Sequence, residues 1–111
     1  MQATFLNPGV LRTELALEAA ARVADDLGGF SESWTEVATV FARIEPLTAQ
    51  SRFGADQTLE TVTHRITLRH RTGVASGMRF RRHERLFEIL TVHDPDESGR
   101  YLVCSVKEVG A

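Results

Sequence analysis

The chain of 111 residues has one cysteine, three prolines, one tryptophan and one tyrosine. A lone cysteine, Cys104, excludes an internal disulfide framework and fits a reducing compartment. No apolar run approaches the roughly 18 residues that a membrane-crossing helix needs, and the amino terminus lacks the basic-then-apolar order of a secretory signal. An excess of one charge is also missing. Thirteen lysines and arginines face 15 aspartates and glutamates, for a formal net charge of -2, so no global basic field holds nucleic acid by counterion release alone. Internal repeats and a glycine-rich phosphate loop are absent. What is present, 42% hydrophobic and 25% charged residues, is the balance of one small globular domain.

The groups that carry chemistry do not assemble. Cys104 lies mid-strand in Leu102-Val103-Cys104-Ser105-Val106 with no basic neighbour to lower its pKa, which reads as a buried apolar thiol rather than a nucleophile. Among the histidines, His64 and His70 share a strand face. Six residues separate them, about 20 Å of extended chain, too far for one metal ion. Asp94, Asp96 and Gly99 resemble the start of a calcium loop, but its remaining ligands and closing glutamate are missing, so a turn is expected. No carboxylate pair stands out for acid–base work. The expectation is a non-enzymatic chain without metal or cofactor.

Gly28–Gly29, Gly73, Gly77 and the cluster Asp94–Gly99 divide the chain into segments of about 8 to 20 residues, the spacing of all-β barrels and sandwiches. Strands are expected over 37–44, 62–71, 85–93 and 101–109. In the second, Val62, His64, Ile66, Leu68 and His70 take one face, and Thr63, Arg65, Thr67, Arg69 and Arg71 the other. The loop 72–77 then leads to Met78-Arg79-Phe80 as a hairpin return. In 85–93, Phe87 and Ile89 oppose Leu86, Leu90 and Val92, so both faces are covered. Residues 11–27 carry two patterns at once. Their alanines and glutamates favour helix, while Leu11, Thr13, Leu15, Leu17, Ala19, Ala21 and Val23 alternate as in a strand. Residues 1–10, broken by Pro8–Gly9, read as a flexible arm before a single domain over 11–111. Thr48 to Glu60 is a loop of about a dozen residues with room for one helical turn over 49–54, and such loops are often functional.

Charge is unevenly spread. His64 to Arg85 holds seven of the 13 basic residues and one acid, whereas residues 1–63 hold nine acids and four basic residues. Complementary surfaces for self-association would show this division, as would a solvated arginine face. A third reading puts Arg65, Arg69, Arg71, Arg79 and Arg81 on one sheet face of a small barrel that binds single-stranded nucleic acid. Phe80 alternates with those arginines, however, which leaves that face without a base-stacking platform.

Four stretches in order resemble the phage head–tail joining, or head-completion, proteins. These are Trp34–Leu47 (WTEVATVFARIEPL) after Gly28–Gly29, Val62–Val74 (VTHRITLRHRTGV), Met78–Phe80 (MRF) and Leu86–Glu97 (LFEILTVHDPDE). Where family members commonly open with an arginine-rich, β-branched strand, this chain has the alanine-rich 11–20; where they often have a glycine turn, it has Arg82-His83-Glu84-Arg85. The resemblance implies an all-β, mainly antiparallel small barrel with one long loop, and it makes 11–27 a strand. It implies one subunit of a six- or twelve-fold ring in the head–tail neck of a phage or gene transfer agent particle, made in the bacterial cytoplasm. The implied partners are further copies of the chain, a portal adaptor, a tail terminator or tail tube protein, and DNA in the channel. By the same likeness the long loop, through Thr48, Gln50, Ser51, Arg52, Phe53, Asp56, Gln57 and Glu60, faces the channel or the next ring. Arg65, Arg69 and Arg71 are expected against acidic neighbouring surfaces.

Overall fold

The computed structural model describes residues 8–48 and 62–110. After a 3₁₀ turn at Pro8–Val10 come six strands: β1 (Thr13–Ala24), β2 (Phe30–Pro46), β3 (His64–Arg69), β4 (Arg79–Arg82), β5 (Arg85–His93) and β6 (Tyr101–Val109). Every neighbouring pair is antiparallel, and the sheet closes as a barrel in the order β1-β2-β3-β6-β5-β4. The all-β, antiparallel expectation therefore holds. Leu15, Leu17, Ile66, Leu68, Phe80, Phe87, Cys104 and Val106 fill the interior.

Residues 13–24 form a strand despite their helix-favouring alanines, because burying Leu15 and Leu17 against the other walls outweighs a weak local preference. The expected alternation reaches the core only as far as Leu17. There the register shifts: Leu17 faces Ala38, Glu18 faces Glu36, and Val37 is left without an opposite number. The extra residue belongs to β2. Ala19, Ala21 and Val23 lie outside the core because β1 pairs with β4 only as far as Glu18 and beyond it outruns the barrel, while Glu18 is buried on the outer side.

A second bulge corrects the reading of β5. Ile89 pairs with Val106 and Thr91 with Ser105, so Leu90 is the extra residue. Val92 is thereby turned back to the core beside Cys104, while Leu86 and Leu90 keep the outer face as expected.

The hairpin return from β3 to β4 does not occur. β4 pairs with β1 and β5, and in the closed ring β3 and β4 stand three strands apart, on opposite walls. The connection 70–78 crosses one end of the barrel, with Val74 and Met78 packed on the core. Gly73 and Gly77, at φ of 87° and 94°, turn the chain across that opening. β4 and β5 do form a tight hairpin through His83–Glu84, with His83 in the left-handed region at φ 57°. Between β5 and β6 the Asp94 carboxylate accepts from the Asp96 and Gly99 amides (3.3 and 2.7 Å), the turn expected in place of a calcium loop.

Candidate functional site

Nothing catalytic is gathered among the described residues. Cys104 is fully buried, and burial pushes its pKa up to about 12, so it stays a protonated thiol at neutral pH. No group of three histidine, cysteine or acidic side chains among the described residues is placed to hold a metal ion. The informative surfaces are a projecting arm, a basic cleft and a polar cluster at strand ends.

Past Glu18 and Glu36 the strands β1 and β2 pair only with each other among the described residues, from Ala19–Thr35 to Ala24–Phe30. These six residue pairs make a ribbon that projects about 20 Å at the usual strand rise. It accounts for the elongated shape, 55 × 29 × 25 Å. Its tip is ordered. The Asp25 carboxylate accepts from the Leu27 and Gly29 amides, both at 2.9 Å, and the Asp25 amide donates to the Gly29 carbonyl at 3.0 Å. Leu27 stands 94% exposed on this turn, followed by Phe30 at 61%, with the Arg22 guanidinium 4.4 Å above the Phe30 ring.

A buried carboxylate fixes the arm to the barrel. Arg79 Nε donates to Glu18 Oε1 (2.7 Å) and Arg81 Nε to Oε2 (2.6 Å), and Arg79 also covers the Trp34 ring at 4.0 Å. Burial would raise the Glu18 pKa. Hydrogen bonds from Arg81 and Arg79, with their charges, outweigh that and hold it below the ordinary carboxylate value.

The arginines expected on one face are divided between two walls. Arg79 and Arg81 serve Glu18 on β4. Across the barrel, Arg65 on β3 lies 4.0 Å from Glu45, which also pairs with Arg43 at 3.3 Å. Arg69, at the end of β3, and Arg71, just beyond it, line a cleft of about 430 Å³ with Leu11, Phe41 and His70. Neither arginine has an ion-pair partner among the described residues. The single basic face that would track a nucleic-acid strand is therefore not formed. Of the expected loop residues, Thr48 follows β2, and Gln50, Ser51, Arg52, Phe53, Asp56, Gln57 and Glu60 lie outside the described residues, as does the helical turn expected over 49–54.

The β3 start, β5 start and β6 end meet around His64. Its ring sits edge-on to Phe87 (centroids 5.3 Å apart), and its Nδ1 is 2.9 Å from Thr63 Oγ1. Burial lowers the His64 pKa, against the opposing pull of Glu108 at 3.9 Å and with help from Arg85, so the ring is neutral at pH 7 and that contact is not an ion pair. Arg85 instead grips Glu108 with two hydrogen bonds of 2.8 and 3.1 Å. The Glu108 amide donates to Thr63 Oγ1 at 2.7 Å, which anchors the chain leading into β3.

Sequence reasoning missed Glu18 and the arm. The turn Asp25–Gly29 was a visible signal, but nothing local says that 12- and 17-residue strands outrun a barrel whose β3 has six.

A family model described as phage head completion protein matches residues 6–109. Among curated proteins the chain has no match. A solved chain from the virion of a native gene transfer agent particle is 31% identical, with a TM-score of 0.66, covering 91% of this chain and 97% of that one. Protein SF1141 from Shigella flexneri 2a, solved in solution, is 19% identical with a TM-score of 0.69, covering 91% and 96%, a likeness of fold.

Proposed function

The chain belongs to the phage head completion protein family, and from that membership we propose that it is one subunit of a ring in the head–tail connector. It is a structural protein of phage-like particles and not an enzyme. In the proposed ring, of six or twelve copies, it joins the portal adaptor to the tail terminator or tail tube. The loop 48–60 borders the DNA channel and helps to retain or gate the DNA, while Arg65, Arg69 and Arg71 meet acidic surfaces of neighbours. Synthesis in the bacterial cytoplasm precedes assembly at the neck. The observation that carries this reading is the 31% identity, over 91% of the chain, to a chain of a gene transfer agent virion. A fold with two unlike surfaces suits it, since head-to-tail contacts of unlike patches close into rings.

The test is imaging of purified particles that carry a label on this chain, beside a strain that lacks it. A labelled ring at the neck, with tailless or DNA-leaking heads in the deletion, is the expected result. Intact, DNA-filled, tailed particles without the chain would overturn the reading.

A further inference from the structure

The arm and the Arg69–Arg71 cleft are opposite in charge and alike in exposing apolar side chains. Residues 19–37 carry Asp25, Asp26, Glu32 and Glu36 against the single cation Arg22. The cleft has Arg69, Arg71 and His70 on its lining and no acid. Leu27 and Phe30 crown the arm, while Phe41, 54% exposed, borders the cleft beside Leu11. A two-stranded ribbon is marginal on its own in water. An ordered tip that holds a leucine 94% exposed is what a preorganised anchor requires.

Resting on the ring reading above, we propose that the arm is the element that links subunits. The tip of one copy, Asp25 to Phe30, docks into the cleft of a second copy of this chain, with Leu27 against Phe41 and the arm's acids against Arg69 and Arg71. Charge complementarity selects a second copy, because the chain carries both halves of the match. The contact is heterologous, each copy giving its arm to one neighbour and receiving the arm of the other, so repetition closes a ring. Glu18, held by Arg79 and Arg81, sets the angle at which the arm leaves the barrel and so the curvature of the assembly.

Cysteine cross-linking tests this, because the one native thiol is buried. Particles are assembled with a full chain carrying Leu27→Cys and Phe41→Cys, both exposed sites, in a Cys104→Ala background. Mild oxidation is expected to give a ladder of covalent dimers, trimers and higher multiples of this chain, and each single-cysteine variant none. Normal incorporation at the neck without a ladder would overturn the arm contact and leave the ring reading standing. Cross-links from Leu27→Cys to a different particle protein would also overturn it, by assigning the arm to that partner. Absence of the chain from particles of the parent strain would overturn both readings. A second measurement is independent of the cysteines. Reversing Arg69 and Arg71 to glutamate is expected to lower incorporation at least about tenfold, since like charges are brought together. Adding Asp26→Arg and Glu32→Arg is expected to restore it. Unchanged incorporation of the first variant, or no rescue by the second, would overturn the proposal.

Discussion

Glu18 joins three elements through one carboxylate. With only 5% of its surface exposed and two arginines donating to it, it holds β1 to β4 and steadies Trp34 beneath Arg79. Glu18→Gln is expected to lower stability by about 2 kcal/mol, the scale of hydrogen bonds to a charged group, read as a lower urea midpoint. Arg81→Ala should cost less, because the Arg81 side chain is 41% exposed and solvent screens it. Acid should act on two groups in turn. The folded His64 pKa lies below its ordinary 6.5, so the neutral ring favours the fold. That contribution is full above about pH 6.5 and is lost as pH falls toward the folded value. Glu18, whose folded pKa lies below 4.5, contributes fully above that value and loses its contribution at lower pH. Melting temperature followed from pH 8 to pH 3 should fall in two stages, and His64→Gln should remove the upper one. A single stage unaffected by that variant would contradict the His64 assignment. Cys104 was legible as an inert core thiol because its neighbours in sequence are also its neighbours on the strand. Glu18 was not, because its burial depends on arginines 61 and 63 residues away.

Among the elements, β5 and β6 begin and end where the sequence places them, since apolar and β-branched runs and the Asp94–Gly99 turn are local signals. The bulges at Leu17/Glu18 and at Leu90 were illegible: each sets which face a residue takes, and neither leaves a mark in composition. The β3–β4 connection misled for a different reason. Six residues with two glycines look the same whether they reverse a strand or carry it over the barrel end, and only Val74 and Met78 on the core decide it. The β4–β5 turn makes a direct prediction. His83 sits at φ 57°, a region that costs an L-residue roughly 1–2 kcal/mol, part of which glycine regains at the expense of chain entropy. His83→Gly should raise the thermal midpoint, and His83→Val should lower it by the equivalent of about 1 kcal/mol. Scanning calorimetry of the two variants checks the opposite signs.

For the whole molecule, the division between barrel and ribbon should govern dynamics. Barrel strands are paired on both sides, whereas amides along 19–24 and 30–35 have a single partner strand and open to water. Hydrogen exchange of the isolated chain should therefore be faster in those two stretches than in β3, β5 and β6. Equal protection throughout would contradict the projecting ribbon. The all-β class and most strand positions were legible, and so was the kind of particle, through the four matching blocks. The shape was not, because strand order in the closed ring is fixed by contacts far apart in sequence.

The closure of β1 on β4 has a consequence for synthesis. Three residue pairs make that contact, and its partners leave the ribosome some 60 residues apart, roughly 3–12 s at ordinary elongation rates. Throughout that interval β1 is an open edge, the situation in which nascent strands aggregate. Its run of alanines, interrupted by Glu14, Glu18 and Arg22, is a poor template for wrong pairing, and this gives the alanine-rich opening strand a kinetic reason. Replacing Ala19–Ala21 with valines should leave the finished barrel intact, since these positions lie outside the core, while reducing the soluble yield of newly made chain.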